Sequence, residues 1–136
     1  MDPIKIVARY TDGRVFKGFT RDFSPNKPSF HLWTEARAVG ECRAVRLSDL
    51  KAVFFVREFE GKRWYLERKT FLGKPAVGSP VEVTFSDGEV LVGTTIGFDR
   101  KRPGFFLFPA DPESNNVKVF AVNDRVANVR LLTLAA

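Results

Sequence analysis

Residues 6–33 read IVARYTDGRVFKGFTRDFSPNKPSFHLW, and residues 81–108 read VEVTFSDGEVLVGTTIGFDRKRPGFFLF. Laid over each other without a gap, Tyr10 on Phe85, they share Asp12/Asp87, Gly13/Gly88, Val15/Val90, Gly18/Gly93, Thr20/Thr95, Phe23/Phe98, Pro28/Pro103, Phe30/Phe105 and Leu32/Leu107. The register returns at Leu47/Val122 and Asp49/Asp124. A one-residue slip then sets Leu50 on Val126 and Val53 on Val129. One register held over that length, matching glycines and prolines alike, marks an internal repeat.

Each copy reads as a meander of short strands. Ile6, Ala8 and Tyr10 alternate with polar or small residues, as do Val81, Val83 and Phe85. That is the period of a half-buried strand. Asp12-Gly13 and Asp87-Gly88 follow directly, and Asp-Gly between alternating runs signals a hairpin, because the turn needs positive φ. Gly18 and Gly93 fall inside the return strands, where a glycine marks a bulge or sharp bend. Basic turns lead into strands at 30–33 and 105–108. Further strands are predicted at 44–47, 52–56, 119–122 and 128–132, with tight connectors at 47–51 and 122–126. About five short strands per copy is the pattern of a small barrel. The predicted fold is all-β: two tandem small bent-sheet barrels related by a pseudo-two-fold internal repeat. The first spans 1–56, a basic aromatic linker 57–79 and the second 80–136. A unit this small buries only a thin core, so the copies pack on each other or the chain forms a homo-oligomer.

The 136 residues carry a net charge of +6 and 14 phenylalanines. Aromatic richness favours strands, and a basic balance suits an anionic partner or plain solubility. The charge is uneven. Residues 1–56 hold ten basic and six acidic side chains, the linker six and three, and residues 80–136 six and seven. The linker also carries Trp64, Tyr65, Phe71 and Leu72, so it is predicted to fold across both copies. Cys42 is the single cysteine, which excludes an internal disulfide and a cysteine-based metal site. No apolar run approaches the length of a membrane helix. The expected location is cytoplasmic, without membrane contact.

At Asp87-Gly88, Gly93 and Phe98-Asp99 the second copy resembles the first motif of the Sm-like fold. That motif is a strand, an acidic-Gly turn, a strand with a bending glycine and an apolar-Asp step into a loop. The resemblance implies a bent five-stranded barrel, similar to SH3-like units, and RNA read by an Asn in that loop. Here the loop of the second copy carries Arg102-Pro103, and Asn26 of the first is displaced from the family position. The phrases DGRVFKGFTRDFSPNKPSFHL, LSDLKAVFFVREFEG and DGEVLVGTTIGFDRKRPGFFLFPADPESNN make the whole chain similar to a bacterial domain of unknown function that occurs in tandem. Such domains resemble accessory modules of signalling and regulatory proteins, which implies no ligand and no catalytic residues. Asp22-Phe23-Ser24 is similar to the Asp-x-Ser step of PilZ domains, which bind a cyclic dinucleotide. The arginines that family places before it have only Arg9 and Arg14 as candidates, and these straddle the hairpin.

Catalytic chemistry finds no footing. His31 is the single histidine, Asp12, Asp87, Asp49 and Asp124 suit turns, and the glycines fall singly rather than in a phosphate loop. The chain is read as a non-enzyme with no cofactor and no metal. Its binding candidates are Asn26 and Lys27 in one basic turn, Arg100, Lys101 and Arg102 in the equivalent turn, and Trp64 in the linker. Basic loops flanked by aromatics grip phosphates and stack bases. The leading expectation is a binding or regulatory module of bacterial signalling with a protein partner or small ligand. RNA or DNA binding and cyclic-dinucleotide sensing are the alternatives. An exposed apolar patch or sheet edge would favour the first. A contiguous basic face formed by the linker and the Lys27 loop would favour the second, and arginines converging on Asp22 the third.

Overall fold

The computed structural model describes residues 4–36, 40–61, 66–71, 75 and 77–133. Alternating apolar residues make the strands β1 (Ile4–Tyr10), β2 (Val15–Thr20), β3 (Ser29–Trp33), β4 (Cys42–Arg46), β5 (Leu50–Val56), β6 (Ser79–Phe85), β7 (Val90–Thr95), β8 (Gly104–Pro109), β9 (Asn116–Val122) and β10 (Val126–Leu131). The two tight connectors are single 3₁₀ turns, Leu47–Asp49 and Asn123–Arg125.

Among the described residues these strands form one antiparallel sheet, ordered β10-β6-β7-β8-β9-β5-β1-β2-β3-β4. The sheet has two ends, so it is not closed into the two barrels expected from the sequence. The reason is the outer edge of β5. It pairs with β9, Val53 opposite Phe120 and Phe54 opposite Val119, instead of turning back on its own half. Each half nevertheless carries the same order, β5-β1-β2-β3-β4 and β10-β6-β7-β8-β9.

The one-residue slip lies earlier than the sequence alignment set it. Phe30 faces Val45 and Phe105 faces Ala121, so Val45 corresponds to Ala121 and Leu47 to Asn123. The Leu47 and Asn123 amides donate to the carbonyls of Pro28 and Pro103, each at 2.9 Å. The slip is absorbed in the loops before β4 and β9, where a change of length costs little.

Both hairpins have the geometry that Asp-Gly dictates. Gly13 and Gly88 sit at φ 94° and 95°. The aspartates before them accept the amides of Arg14 and Glu89, each at 3.0 Å. Gly18 and Gly93 mark close approaches of the following strand. A Cβ on Gly93 would lie 2.1 Å from the Phe108 carbonyl oxygen, and one on Gly18 2.7 Å from that of Trp33.

Two cores result, and the strands β5 and β9 feed both. Ala52, Phe54, Val119 and Ala121 pack with Val81, Val83, Phe85, Phe105 and Leu107. Their neighbours Val53, Phe55, Phe120 and Val122 point the other way and join Ile6, Ala8, Tyr10, Phe30 and Val45. Phe23 closes the second core with edge-on contacts to Phe30, Phe55 and Phe120 at 5.1–5.4 Å.

The described linker residues touch both halves, while Trp64, Tyr65 and Leu72, on which the expected packing rested, lie outside the described residues. Phe59 packs edge-on against Phe19, and the Arg68 amide donates to the buried Asp111 carboxylate at 2.7 Å.

Gly93→Ala is expected to cost about 1–3 kcal/mol, since backbone must move to admit the methyl. Gly97→Ala, where a Cβ would meet nothing within 4 Å, should stay within about 0.5 kcal/mol. Urea midpoints of the two variants check this. Phe120→Ala, at the shared core, should cost about 3–5 kcal/mol and leave a single transition by fluorescence and circular dichroism alike; two separate transitions would show that the halves unfold independently.

Candidate functional site

The loops that carry the binding candidates meet across the β5–β9 seam. The β2–β3 loop is shaped by Ser24, whose Oγ accepts the Asn26 amide at 3.2 Å and whose carbonyl accepts the Lys27 amide at 3.3 Å. The β7–β8 loop is shaped by Asp99, which accepts the Lys101 amide on its carboxylate at 2.9 Å and the Arg102 amide on its carbonyl at 3.1 Å. The buried Asn123 fastens that loop from below. Its Nδ2 donates to the carbonyls of Asp99 and Arg102 at 2.9 and 2.8 Å, while its Oδ1 is buried without a partner.

Two grooves open where these loops face each other. One, of about 470 Å³, runs from Pro25 and Asn26 over Phe106 and Phe120 to Phe98, Phe108 and Ile96, with Asp99 and Arg102 at its rim. The other, of about 620 Å³, is lined by Asn26, Lys27, Arg46, Leu47, Pro103 and Asp124 among others. The fold thus gathers Asn26, Lys27 and Arg102. It turns Arg100 away: its guanidinium donates to the Val126 carbonyl at 3.1 Å and lies 5.6 Å from the Phe98 ring. Lys101 lines neither groove, and Trp64 lies outside the described residues.

The first groove is apolar and open. Ile96 is 76% exposed, and Phe98 and Phe108 are each 37% exposed. Much of the positive charge, by contrast, is engaged inside the molecule. The Lys51 ammonium bridges Asp87 at 2.7 Å and Glu89, over the Phe85 ring. Lys17 donates to the Phe59 carbonyl at 2.7 Å and Lys69 to that of Val90 at 2.9 Å. Arg43 stacks 3.8 Å from the Phe16 centroid, and Lys118 sits over Phe55 and Phe106. Among the described linker residues, Lys69 is drawn to the hairpin end of β7, opposite the Lys27 loop.

His31 is not isolated. Its Nδ1–H donates to Asp22 Oδ2 at 2.6 Å and its amide to Asp22 Oδ1 at 2.9 Å, with the Thr20 hydroxyl adding a third bond at 3.1 Å. Burial pushes the Asp22 carboxyl up, but the bonds from His31 and Thr20 outweigh it and hold it below its ordinary value. The Lys51 ammonium and the Glu89 amide likewise hold Asp87 low. Arg9 lies over Phe54 and Arg14 is paired with Asp12, so neither serves Asp22. Among the described residues no cluster of His, Cys, Asp and Glu is built to hold a metal ion, and no helix is long and apolar enough to cross a membrane.

Sequence reasoning missed Asn123, whose role follows only from the corrected slip. It also missed the Asp22–His31 pair, although an aspartate before a loop and a histidine on the next strand was a usable signal.

These features define an all-β protein on an open sheet with an apolar groove at its seam. The chain belongs to a family of unknown function, DUF6982, whose model matches residues 2–133. No curated protein and no solved structure gives a significant match.

Asp22→Ala is expected to lower stability by about 1–2 kcal/mol at neutral pH, because three donors lose their acceptor. The sign with pH follows from the depressed carboxyl. Its stabilisation is complete above the ordinary carboxylate pKa and is lost as pH falls through the lower folded value. Denaturant titrations from neutral to acid pH should therefore show the variant converging on the wild type at the acid end.

Proposed function

We propose that the chain is a non-enzymatic interaction module: two diverged Sm- or SH3-like copies, of the kind that accompanies bacterial regulatory proteins, holding a protein partner on the aromatic groove of the second half. The exposure of Ile96, Phe98 and Phe108 along one groove carries this reading. Contiguous exposed apolar surface with a polar rim marks a protein contact. Asn26, Asp99 and Arg102 supply that rim, with both charge signs present. The exposed thiol of Cys42 suits the reducing cytoplasm.

A nucleic-acid reading has one observation of its own, the convergence of Asn26, Lys27 and Arg46 on the neighbouring groove. Asp124 in the same groove opposes a phosphate chain, and the internally paired lysines and arginines leave less charge for one. The cyclic-dinucleotide reading loses ground because Asp22 is held by His31 rather than by converging arginines.

A photoreactive phenylalanine placed at Ile96 or Phe108 in living cells tests the proposal. Protease-sensitive adducts are expected at both positions and not at Thr11 on the distant hairpin. Nuclease-sensitive adducts would transfer the groove to nucleic acid, and an absence of adducts at both positions would overturn the reading. Anisotropy of short single-stranded RNA and DNA at about 50 and 200 mM salt gives the parallel check, because phosphate contacts weaken steeply over that range. No binding at the lower salt is expected.

A further inference from the structure

We infer that one partner of this module is a second copy of the same chain, joined head to tail by pairing its β4 edge with the β10 edge of its neighbour. The inference rests on the interaction-module reading and names a partner within it. Its template is the seam inside the chain. There the last strand of the first half, β5, pairs antiparallel with β9, which follows β8 as β4 follows β3. The strands left at the two ends of the sheet are the missing counterparts, β4 for β9 and β10 for β5. Every chain therefore ends in the two strands that already make a seam in its middle.

The corrected alignment sets the register. Val53 opposite Phe120 translates to Val129 opposite the neighbour's Ala44. Phe55 opposite Lys118 translates to Leu131 opposite Cys42, and Phe54 opposite Val119 to Arg130 opposite Arg43. Large apolar side chains on β10 thus meet small ones on β4. The exposures agree with a missing neighbour. Phe55, covered within the seam, is 3% exposed, whereas its equivalent Leu131 is 73% exposed. Phe23 is flanked by Phe106 and Phe120 across the seam, whereas its equivalent Phe98 has Phe105 beside it and is 37% exposed. In the joined pair His31 and Ala44 of the neighbour take the places of Phe106 and Phe120.

Two features bear against the contact and are weaker than it. Arg100 covers the Val126 carbonyl, but the equivalent Leu50 also lies outside the β5–β9 ladder, so residues 128–131 keep their outer edge. Arg130 faces Arg43, a like-charge pair that sheet edges use to discourage pairing. Glu82 lies 3.1 Å from Arg130 and offsets it, and a single exposed pair is screened by salt. The association is therefore concentration-dependent and strengthens with salt, the reverse of a phosphate contact. Because the two edges differ, the contact is heterologous and continues beyond a dimer into a ring or filament.

The test uses Cys42, the only cysteine, against Leu131→Cys in the full chain. Treated with a short bis-maleimide, the variant is expected to give covalent dimers, trimers and higher species. The wild type and the double variant Cys42→Ala/Leu131→Cys should give no covalent oligomers, because neither places two cysteines across the contact. Arg43→Glu, which turns the facing pair attractive, is expected to tighten association about tenfold by sedimentation velocity. Circular dichroism confirms that each variant is folded. A Leu131→Cys chain that gives no covalent product, products that stop at a dimer, or covalent dimers from wild-type Cys42 alone would overturn the inference. If it fails while Ile96 and Phe108 still capture a different protein, the module reading stands with another partner.

Discussion

The structure depends on the backbone ladder between β5 and β9. The first half cannot bury both faces of its own last strand. Leu50–Val56 is apolar almost throughout, LKAVFFV, so both of its faces demand cover. In a sheet, alternate residues point to opposite faces, so one strand can serve two cores only if it stands between them. The pairing with β9 meets that demand, and β9 is served in the same way. The chain thereby trades two thin cores for two that share their central strands.

The polar interactions reinforce that joint. Lys51 leaves β5 to bind two carboxylates of the opposite hairpin. Asn115 holds the Glu58 backbone through both ends of its amide, and Arg57 donates to the Ser114 carbonyl at 3.1 Å. Ser114 in turn donates to Glu67. These bonds stitch the start of the linker to the β8–β9 loop. The positive charge that suggested an anionic partner is thus partly structural.

Much of the fold was legible because its signals are local. Asp-Gly dictates a hairpin, a glycine within a strand permits a close approach, and alternation marks a half-buried strand. The seam was harder, because pairing between β5 and β9 is set by cover for both faces and not by any neighbouring residue. The uninterrupted run from Ala52 to Val56 was nevertheless a signal of a strand buried on two sides. The site was legible in part. The repeat marked the loop of Asn26 and Lys27 and the loop of Arg102 as equivalent, but only the seam brings these residues into neighbouring grooves. The contact of Arg100 with the Val126 carbonyl was hidden because that group belongs to a strand 26 residues away. Asn123 was hidden because matching Asp49 to Asp124 is chemically sensible yet off by one position.

The double burial of β5 has a consequence for the newborn chain. The strand leaves the ribosome about 60 residues ahead of its β9 partner, a delay of several seconds at ordinary synthesis rates. Throughout that interval β1 can shelter one edge, while the other stays bare beside Phe54 and Phe55. Translation speed along the linker therefore governs how long an adhesive ribbon is on show, and a pause there would expose nascent chains on one message to each other.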